Sequence, residues 1–213
     1  MKLAEERNAI VQYGRKLVES QLTTGTGGNL SICNREEGLV AIKPSGVNYF
    51  TMKPEDVVVV DLSGKIVDGK LKPSSELSFH LALINHRPDI RAVVHTHQVY
   101  ATTLACLNWE LPAVHYLVAL SGNKVPVAAY ATYGTPELAE NILKAIGDYN
   151  ACLMSNHGLV TVGKSIEGAF GVAEEIELVS RLYYQARCIG EPVILPDSEM
   201  ETVVEKFKSY GNL

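Results

Sequence analysis

The sequence predicts an α/β fold, a sheet covered by helices on both faces. Three observations lead there. Helix-type and strand-type segments alternate through the chain. The runs "VVHTHQ" and "ACLMSNHGLVTVG" read as buried strands. With 213 residues, 46% of them hydrophobic, the chain has apolar content for a substantial core. No repeat, low-complexity run or Pro/Gly/Ser-rich linker divides it, so one domain over 1–213 is expected.

Residues 3–22 show an amphipathic helical pattern, apolar at Ile10, Val11, Leu17, Val18 and Leu22. The glycine-rich stretch "TTGTGGN" (23–29) stops that helix, and short strands "LSIC" and "LVAI" follow, then a turn at "KPSGV". "DVVVVDLSGKIVDG" reads as a hairpin with Ser63-Gly64 at its tip. "PSSELSFHLALINHRP" opens with cap-type serines, places Leu77, His80, Leu81 and Ile84 on one helical face, and stops at Pro88. "IRAVVHTH" is a strand, and "VYATTLACL" turns helical again. "GTPELAENILKAIG" carries full helix punctuation: Thr135 as N-cap, Pro136 at the first position, Gly147 past the end. "ACLMSNHGLVTVG" gives two strands joined by an Asn-His-Gly turn, and "SIEGAFGVAEEIELVSRLYYQARCIG" is the longest helix.

Charge and composition exclude several classes of function. The formal net charge is -5 and the basic residues are scattered singly. Nucleic acid and anionic membranes both require a basic surface, so neither is expected as a partner. No apolar run approaches the ~18 residues that span a bilayer, and "MKLAEERNAIVQYG" lacks the hydrophobic core of a signal peptide. Cys33, Cys106, Cys152 and Cys188 form no Cys-x-x-Cys and read as reduced, mostly buried thiols of a cytoplasmic protein.

The histidines carry the first chemical signal. Strand side chains alternate, so His95 and His97 face one side together, roughly 6–7 Å apart along the strand, while Val94 and Thr96 face the other. Two imidazoles so placed can converge on one cation; taken alone, they equally describe two polar residues at a strand end. His157 sits in the "SNHG" turn, where glycine allows close backbone approach. By itself it reads as a turn histidine donating to a carbonyl. Together, three neutral imidazoles with an open fourth position suit a catalytic metal, zinc above others. His80 lies on the apolar face of its helix and reads as a satisfied core residue, His86 sits near a helix end, and His115 has no partner in sequence.

Three short segments suit an anion. "GTGGNLS" lacks the Gly-Lys-Ser/Thr ending of a P-loop, has Leu30 where a dinucleotide loop needs its third glycine, and follows a helix rather than a strand. What remains is a turn with exposed N–H groups. "KPSG" sets Ser45 beside Gly46 in a turn. "PSSE" sets Ser74 and Ser75 at a helix N-terminus, where free N–H groups and the macrodipole favour negative charge. Each has a local explanation: Ser75 caps its helix, Gly28 shapes a turn. Jointly they suggest a phosphate held largely by neutral donors. Glu76, in the first turn of that helix, is stabilised there by about 0.3–1 kcal/mol. Beside a metal and an anion it is also a candidate general base.

"GTGGNLS", "KPSG", "PSSE", "HTH" and "NHG", in this order and spacing, resemble the class II aldolase/epimerase family of sugar phosphates, and the similarity extends through "LPAVHY", "YATYGTPEL" and "EKFKSYG". The resemblance implies a three-layer domain with a central mixed, largely antiparallel sheet. It implies His95, His97 and His157 as zinc ligands with Glu76 as fourth ligand at rest; Co2+ or Mn2+ are other ions such a site takes. It places the phosphate of a sugar-phosphate substrate among Gly28, Asn29, Ser45, Gly46, Ser74 and Ser75. It makes Glu76 the proton shuttle and Tyr116 the acid acting on the aldehyde oxygen. Tyr210, on a mobile tail at about 206–213, would close over a neighbouring subunit's site in a homotetramer with active sites at subunit interfaces. Serine stands at position 45 where the family often has threonine, which keeps the hydroxyl.

The activity implied is reversible aldol cleavage of L-fuculose 1-phosphate, or a closely related ketose 1-phosphate, to dihydroxyacetone phosphate and L-lactaldehyde. Epimerisation of L-ribulose 5-phosphate at C4 is the alternative within the family; that branch carries aspartate after "PSS" and an acid after the histidine corresponding to His115, where this chain has Glu76 and Tyr116. Other metal-motif members, acting on rhamnulose 1-phosphate or methylthioribulose 1-phosphate, are harder to separate. A non-catalytic adducin-like binding domain is the remote alternative, and an intact metal set with Glu76 weighs against it.

Overall fold

The structure, a computed structural model, describes residues 1–209. A helix α1 (Ala4–Glu19) leads into strands β1 (Asn29–Asn34), β2 (Leu39–Ile42), β3 (Val58–Asp61) and β4 (Ile66–Asp68). Then come α2 (Leu77–His86), β5 (Ala92–Thr96), α3 (Val99–Cys106), β6 (Val127–Ala128), α4 (Pro136–Ile146), β7 (Ala151–Met154), β8 (Gly158–Gly163), α5 (Ile166–Ile189) and α6 (Asp197–Ser209). Two 3-10 turns, Pro54–Asp56 and Tyr116–Leu120, interrupt the loops. The strands form one eight-stranded sheet in the order β4-β3-β2-β1-β5-β8-β7-β6, antiparallel throughout except for the β6–β7 pair.

The sheet is the middle of three layers, and the strands' alternation builds both interfaces. Val57, Val59, Ala92, Val94 and Leu159 pack toward α1, α3 and α5. Val58, Val60, Val93 and Val160 pack toward α2 and α4. Each fully buried valine or leucine contributes about 1.5–3 kcal/mol. A one-residue slip of β5 between β1 and β8 would move His95 into the apolar layer under α5, so the same burial that stabilises the sheet sets the face of the histidine.

Where the structure departs from the sequence reading, local causes are visible. The first helix ends at Glu19, short of Leu22: Gln21 takes a left-handed conformation (φ 57) and the Leu22 N–H turns back to the Leu17 carbonyl at 2.9 Å. Glu76 is the N-cap residue of α2 rather than a member of its first turn, and its side chain makes no capping hydrogen bond. The segment 206–209, expected as part of a tail, is the end of α6; Met200 of that helix is fully buried and Phe207 packs against the core. Cys33 and Cys152 are buried, but Cys106 and Cys188 are exposed, so half the thiols and not most are interior. Among the described residues no helix is long and apolar enough to cross a membrane.

Candidate active site

Four segments meet at one end of the central strands: the loop before β1, the N-terminus of α2, the end of β5 and the β7–β8 turn. On β5, Val93 and His95 face α2, and Val94 faces α5. His95 is fully buried. Its Nδ1–H donates to the Leu159 carbonyl at 2.9 Å, so Nε2 carries the free lone pair. His97 lies just past the strand and is fixed by its backbone N–H, which donates to the Leu22 carbonyl at 3.0 Å. His157 follows Asn156, which takes the left-handed conformation (φ 54) of the tight turn. The ligand atoms of the three histidines lie within 4.8 Å of one another, with 2.9 Å between Nε2 of His95 and Nε2 of His97.

Two glycines permit this convergence. A Cβ on Gly158 would stand 2.2 Å from the Thr96 carbonyl oxygen. A Cβ on Gly28, where φ is +65°, would stand 2.6 Å from the His95 carbonyl oxygen. The end of the strand, with His95 on it and His97 just beyond, is thus gripped between two stretches of bare backbone.

Glu76 reaches into the cluster from α2. Its Oε2 lies 3.3 Å from Nε2 of His95 and its Oε1 3.3 Å from Nε2 of His157. Neither contact is a conventional ion pair. Burial lowers the His95 pKa well below the usual imidazole range, and the neighbouring His97 and His157 lower it further. Burial likewise lowers His97 and His157, against a raising influence from Glu76. The imidazoles are therefore neutral, and Oε1 of Glu76 is buried with no hydrogen-bond donor. Three lone pairs and a carboxylate oxygen aimed at one point repel each other unless a cation lies among them, and a nitrogen-rich set with one carboxylate fits a divalent ion of the zinc type.

The anion-binding candidates lie beside this cluster. Gly28, Asn29, Ser45, Gly46, Ser74 and Ser75 line one cavity of about 350 Å³ together with Glu76, His97 and His157. "KPSG" and "PSSE" are zipped side by side: Ser74 N–H donates to the Lys43 carbonyl at 3.0 Å and Ser45 N–H to the Lys72 carbonyl at 3.0 Å. These two amides are consumed, so Ser45 and Ser74 have only their hydroxyls to offer an anion, and the Ser74 oxygen also accepts from the Glu76 N–H at 3.2 Å.

Four lining residues inside the quoted motifs were not singled out from the sequence: Thr26, Gly27, Lys43 and Tyr133. Lys43 is buried, and its Nζ donates to the carbonyls of Thr26 (3.2 Å) and Pro44 (3.1 Å). It ties the two loops together and keeps one N–H to offer. Burial pulls its pKa down to about 8. The cradle is thus not wholly neutral. Tyr133 is exposed at the rim.

Tyr116 is not among the cavity-lining residues of its own chain. It is exposed on the Tyr116–Leu120 turn, with its ring stacked on Phe207 of α6 (6.2 Å between centroids). His115 caps that turn, accepting from the Leu117 N–H. Tyr210 lies outside the described residues. His80 is a satisfied core residue as expected, but its partners belong to the site: Nε2 lies 2.5 Å from Oδ1 of Asn29, whose Nδ2 donates to Glu76 at 2.8 Å.

Residues 8–184 match the family described as Class II Aldolase and Adducin N-terminal domain, and this fold together with aldolase relatives makes the chain a class II aldolase, a carbon–carbon lyase. The chain belongs to that family. It is 53% identical over 211 residues to a 5-deoxy-D-ribulose 1-phosphate aldolase of Bacillus thuringiensis serovar kurstaki, with 99% of each chain covered. It is 42% identical over 192 residues to the L-fuculose phosphate aldolase of Escherichia coli K12, covering 89% of this chain and 88% of that one. A solved structure named L-fuculose 1-phosphate aldolase superposes with a TM-score of 0.96 at 48% identity over 98% of both chains. The expected family and three-layer fold are borne out, and class II aldolases use a divalent metal.

Proposed function

We propose that this chain is a zinc-dependent aldolase for a ketose 1-phosphate ending in a methyl group, 5-deoxyribulose 1-phosphate ahead of L-fuculose 1-phosphate. The products are dihydroxyacetone phosphate and a short aldehyde, acetaldehyde from the first and L-lactaldehyde from the second. The observation that carries the reading is the shared cavity: the hydroxyls of Ser45, Ser74 and Ser75 and the ammonium of Lys43 line it together with Glu76, His97 and His157, and His95 completes the imidazole cluster behind it. Relatives named for each substrate support the class, and the 53% identity to the 5-deoxyribulose phosphate enzyme, against 42% to the fuculose phosphate enzyme, supports the order.

Breaking the C3–C4 bond leaves negative charge on the three-carbon fragment. Zinc held by His95, His97 and His157, with Glu76 as fourth ligand at rest, supplies the Lewis-acid charge that stabilises it. Glu76 moves the proton at C3, a task suited to a carboxylate not spent on capping its helix. Gly28, Asn29, Ser45, Gly46, Ser74 and Ser75 grip the phosphate, and this remote binding orients C3 against the carboxylate. Tyr116 takes the proton of the C4 hydroxyl on cleavage and returns it to the aldehyde oxygen in synthesis. Because it does not line its own cavity, this reading places it at the cavity of a neighbouring copy in a homotetramer, with Tyr210 closing over the same site.

The test is an assay of 5-deoxyribulose 1-phosphate, L-fuculose 1-phosphate, rhamnulose 1-phosphate, methylthioribulose 1-phosphate and L-ribulose 5-phosphate, each with and without chelator. Dihydroxyacetone phosphate released from the first two, and abolished by chelator, is the expected result. Epimerised L-ribulose 5-phosphate with no cleavage, or cleavage indifferent to chelator, would overturn the reading.

A further inference from the structure

His80 is buried under α2 on the apolar face where a leucine would fill the space without polar partners. It is nevertheless held at both nitrogens: Nδ1 lies 2.7 Å from Oγ of Ser31 and Nε2 lies 2.5 Å from Oδ1 of Asn29. The proton positions follow from the far end of the chain. The Asn29 amide nitrogen faces the Glu76 carboxylate at 2.8 Å, and a carboxylate accepts, so that nitrogen donates and the Asn29 oxygen can only accept. His80 therefore carries its proton on Nε2, and the Ser31 hydroxyl donates to Nδ1. Burial pushes the His80 pKa down to about 3, so the ring stays neutral at working pH and acts by direction, not by charge.

We propose that His80 is a positioning residue for the reaction: the chain Ser31–His80–Asn29 locks the Asn29 amide in the one orientation that presents its N–H2 group to Oε2 of Glu76. Asn29 offers Glu76 a donor in one orientation and a repelling oxygen in the flipped one. With its proton on Nε2 the imidazole opposes the flip, because that N–H would meet an N–H2 group turned toward it, and the flipped amide would require the other tautomer with the Ser31 hydroxyl turned from donor to acceptor. Oε2 is thereby pinned while Oε1 has no donor and is left for chemistry. The inference rests on the reading of Glu76 as the proton-transfer group. It goes beyond that reading in giving a core histidine, which touches neither the cavity nor the imidazole cluster, control over the geometry of that group.

The experiment is a double-mutant cycle with a conservative rescue, on protein loaded with zinc and with metal content and melting temperature measured for each variant. His80→Leu should lower kcat about 10–100-fold, the usual scale for groups that orient a ligand from behind, with KM and metal content unchanged. His80→Gln, whose amide nitrogen takes the place of Nε2, should recover most of that loss. In the Asn29→Ala background His80→Leu should cost nothing further, because there is no amide left to orient. Additive losses in the cycle, a His80→Leu protein as fast as the parent, or a His80→Gln protein no better than His80→Leu would each overturn the proposal. Nitrogen NMR of the parent decides independently of any turnover: His80 protonated at Nε2 and bare at Nδ1 is expected, and the opposite tautomer refutes the relay. A parent inactive on every ketose phosphate but with this tautomer would sink the functional reading alone.

Discussion

Oε1 of Glu76 stands 3.3 Å from Nε2 of His157, and no hydrogen bond joins them. Burial keeps that imidazole neutral, so two electron-rich atoms face each other, an arrangement that a divalent ion held by His157 and Glu76 would relieve. The proposed function gives the carboxylate two separable tasks, ligation at rest and proton transfer in turnover, and substitution can part them.

His97→Ala should lose the metal and all turnover, since two histidines and one carboxylate no longer close the set. Glu76→Gln should keep much of the metal and lose about 10²–10⁴-fold in kcat, the scale of a general acid–base group. Elemental analysis beside steady-state rates separates the two; near-parent turnover of Glu76→Gln would remove its assigned role.

Lys43 gives a prediction in pH. As pH rises through about 8 its Nζ loses the proton and the cavity loses its buried cation, so KM for the sugar phosphate should climb above pH 8 while kcat holds. Lys43→Met should show a raised KM already at pH 7 and no such climb. The stability sign is the same as that of a paired carboxylate, because both groups release their proton at lower pH in the folded chain than in the unfolded one. Between about pH 8 and 10.5 the unfolded chain binds a proton that the folded chain has released, so folding stability should rise across that window. Denaturant midpoints at pH 8 and 10, parent against Lys43→Met, check it.

Gly28 and Gly38 share a φ of +65°, and only Gly28 has a neighbour in the way of a Cβ. Alanine at Gly38 should cost about 1 kcal/mol through the left-handed backbone, or ~2–4 °C in Tm for a chain of this size. Alanine at Gly28 should cost more and also lower zinc content, because the clash falls on the His95 carbonyl. Equal melting points and equal metal content in the two variants would refute the account.

Deleting residues 206–213 removes Phe207, the ring on which Tyr116 stacks. Turnover should fall while circular dichroism and Tm stay close to the parent's, since the eight strands are untouched. Unchanged kinetics would detach the C-terminal segment from the mechanism.

Much of this site was legible because its logic is local. The two-residue period of a strand put His95 and His97 on one face, and the glycine after His157 announced a turn narrow enough to bring a third ring in. The serines and Glu76 stand next to one another in the chain. What stayed hidden depends on distance. Nothing marks Lys43 among scattered basic residues as the buried one that ties Thr26 to Pro44. His80 looks like any histidine on an apolar helix face until Ser31 and Asn29, about 50 residues upstream, come into view. Tyr116 was placed in the chemistry by motif, and only the fold sets it apart from its own chain's cavity.

Gly158 carries a further consequence. Its close approach to the Thr96 carbonyl fastens the β7–β8 turn to the end of β5, so the turn that bears His157 is held against the central rung that bears His95. Amide deuterium uptake at Val94, His95 and Val160 should then proceed only when the whole molecule opens, on the slowest timescale the chain possesses.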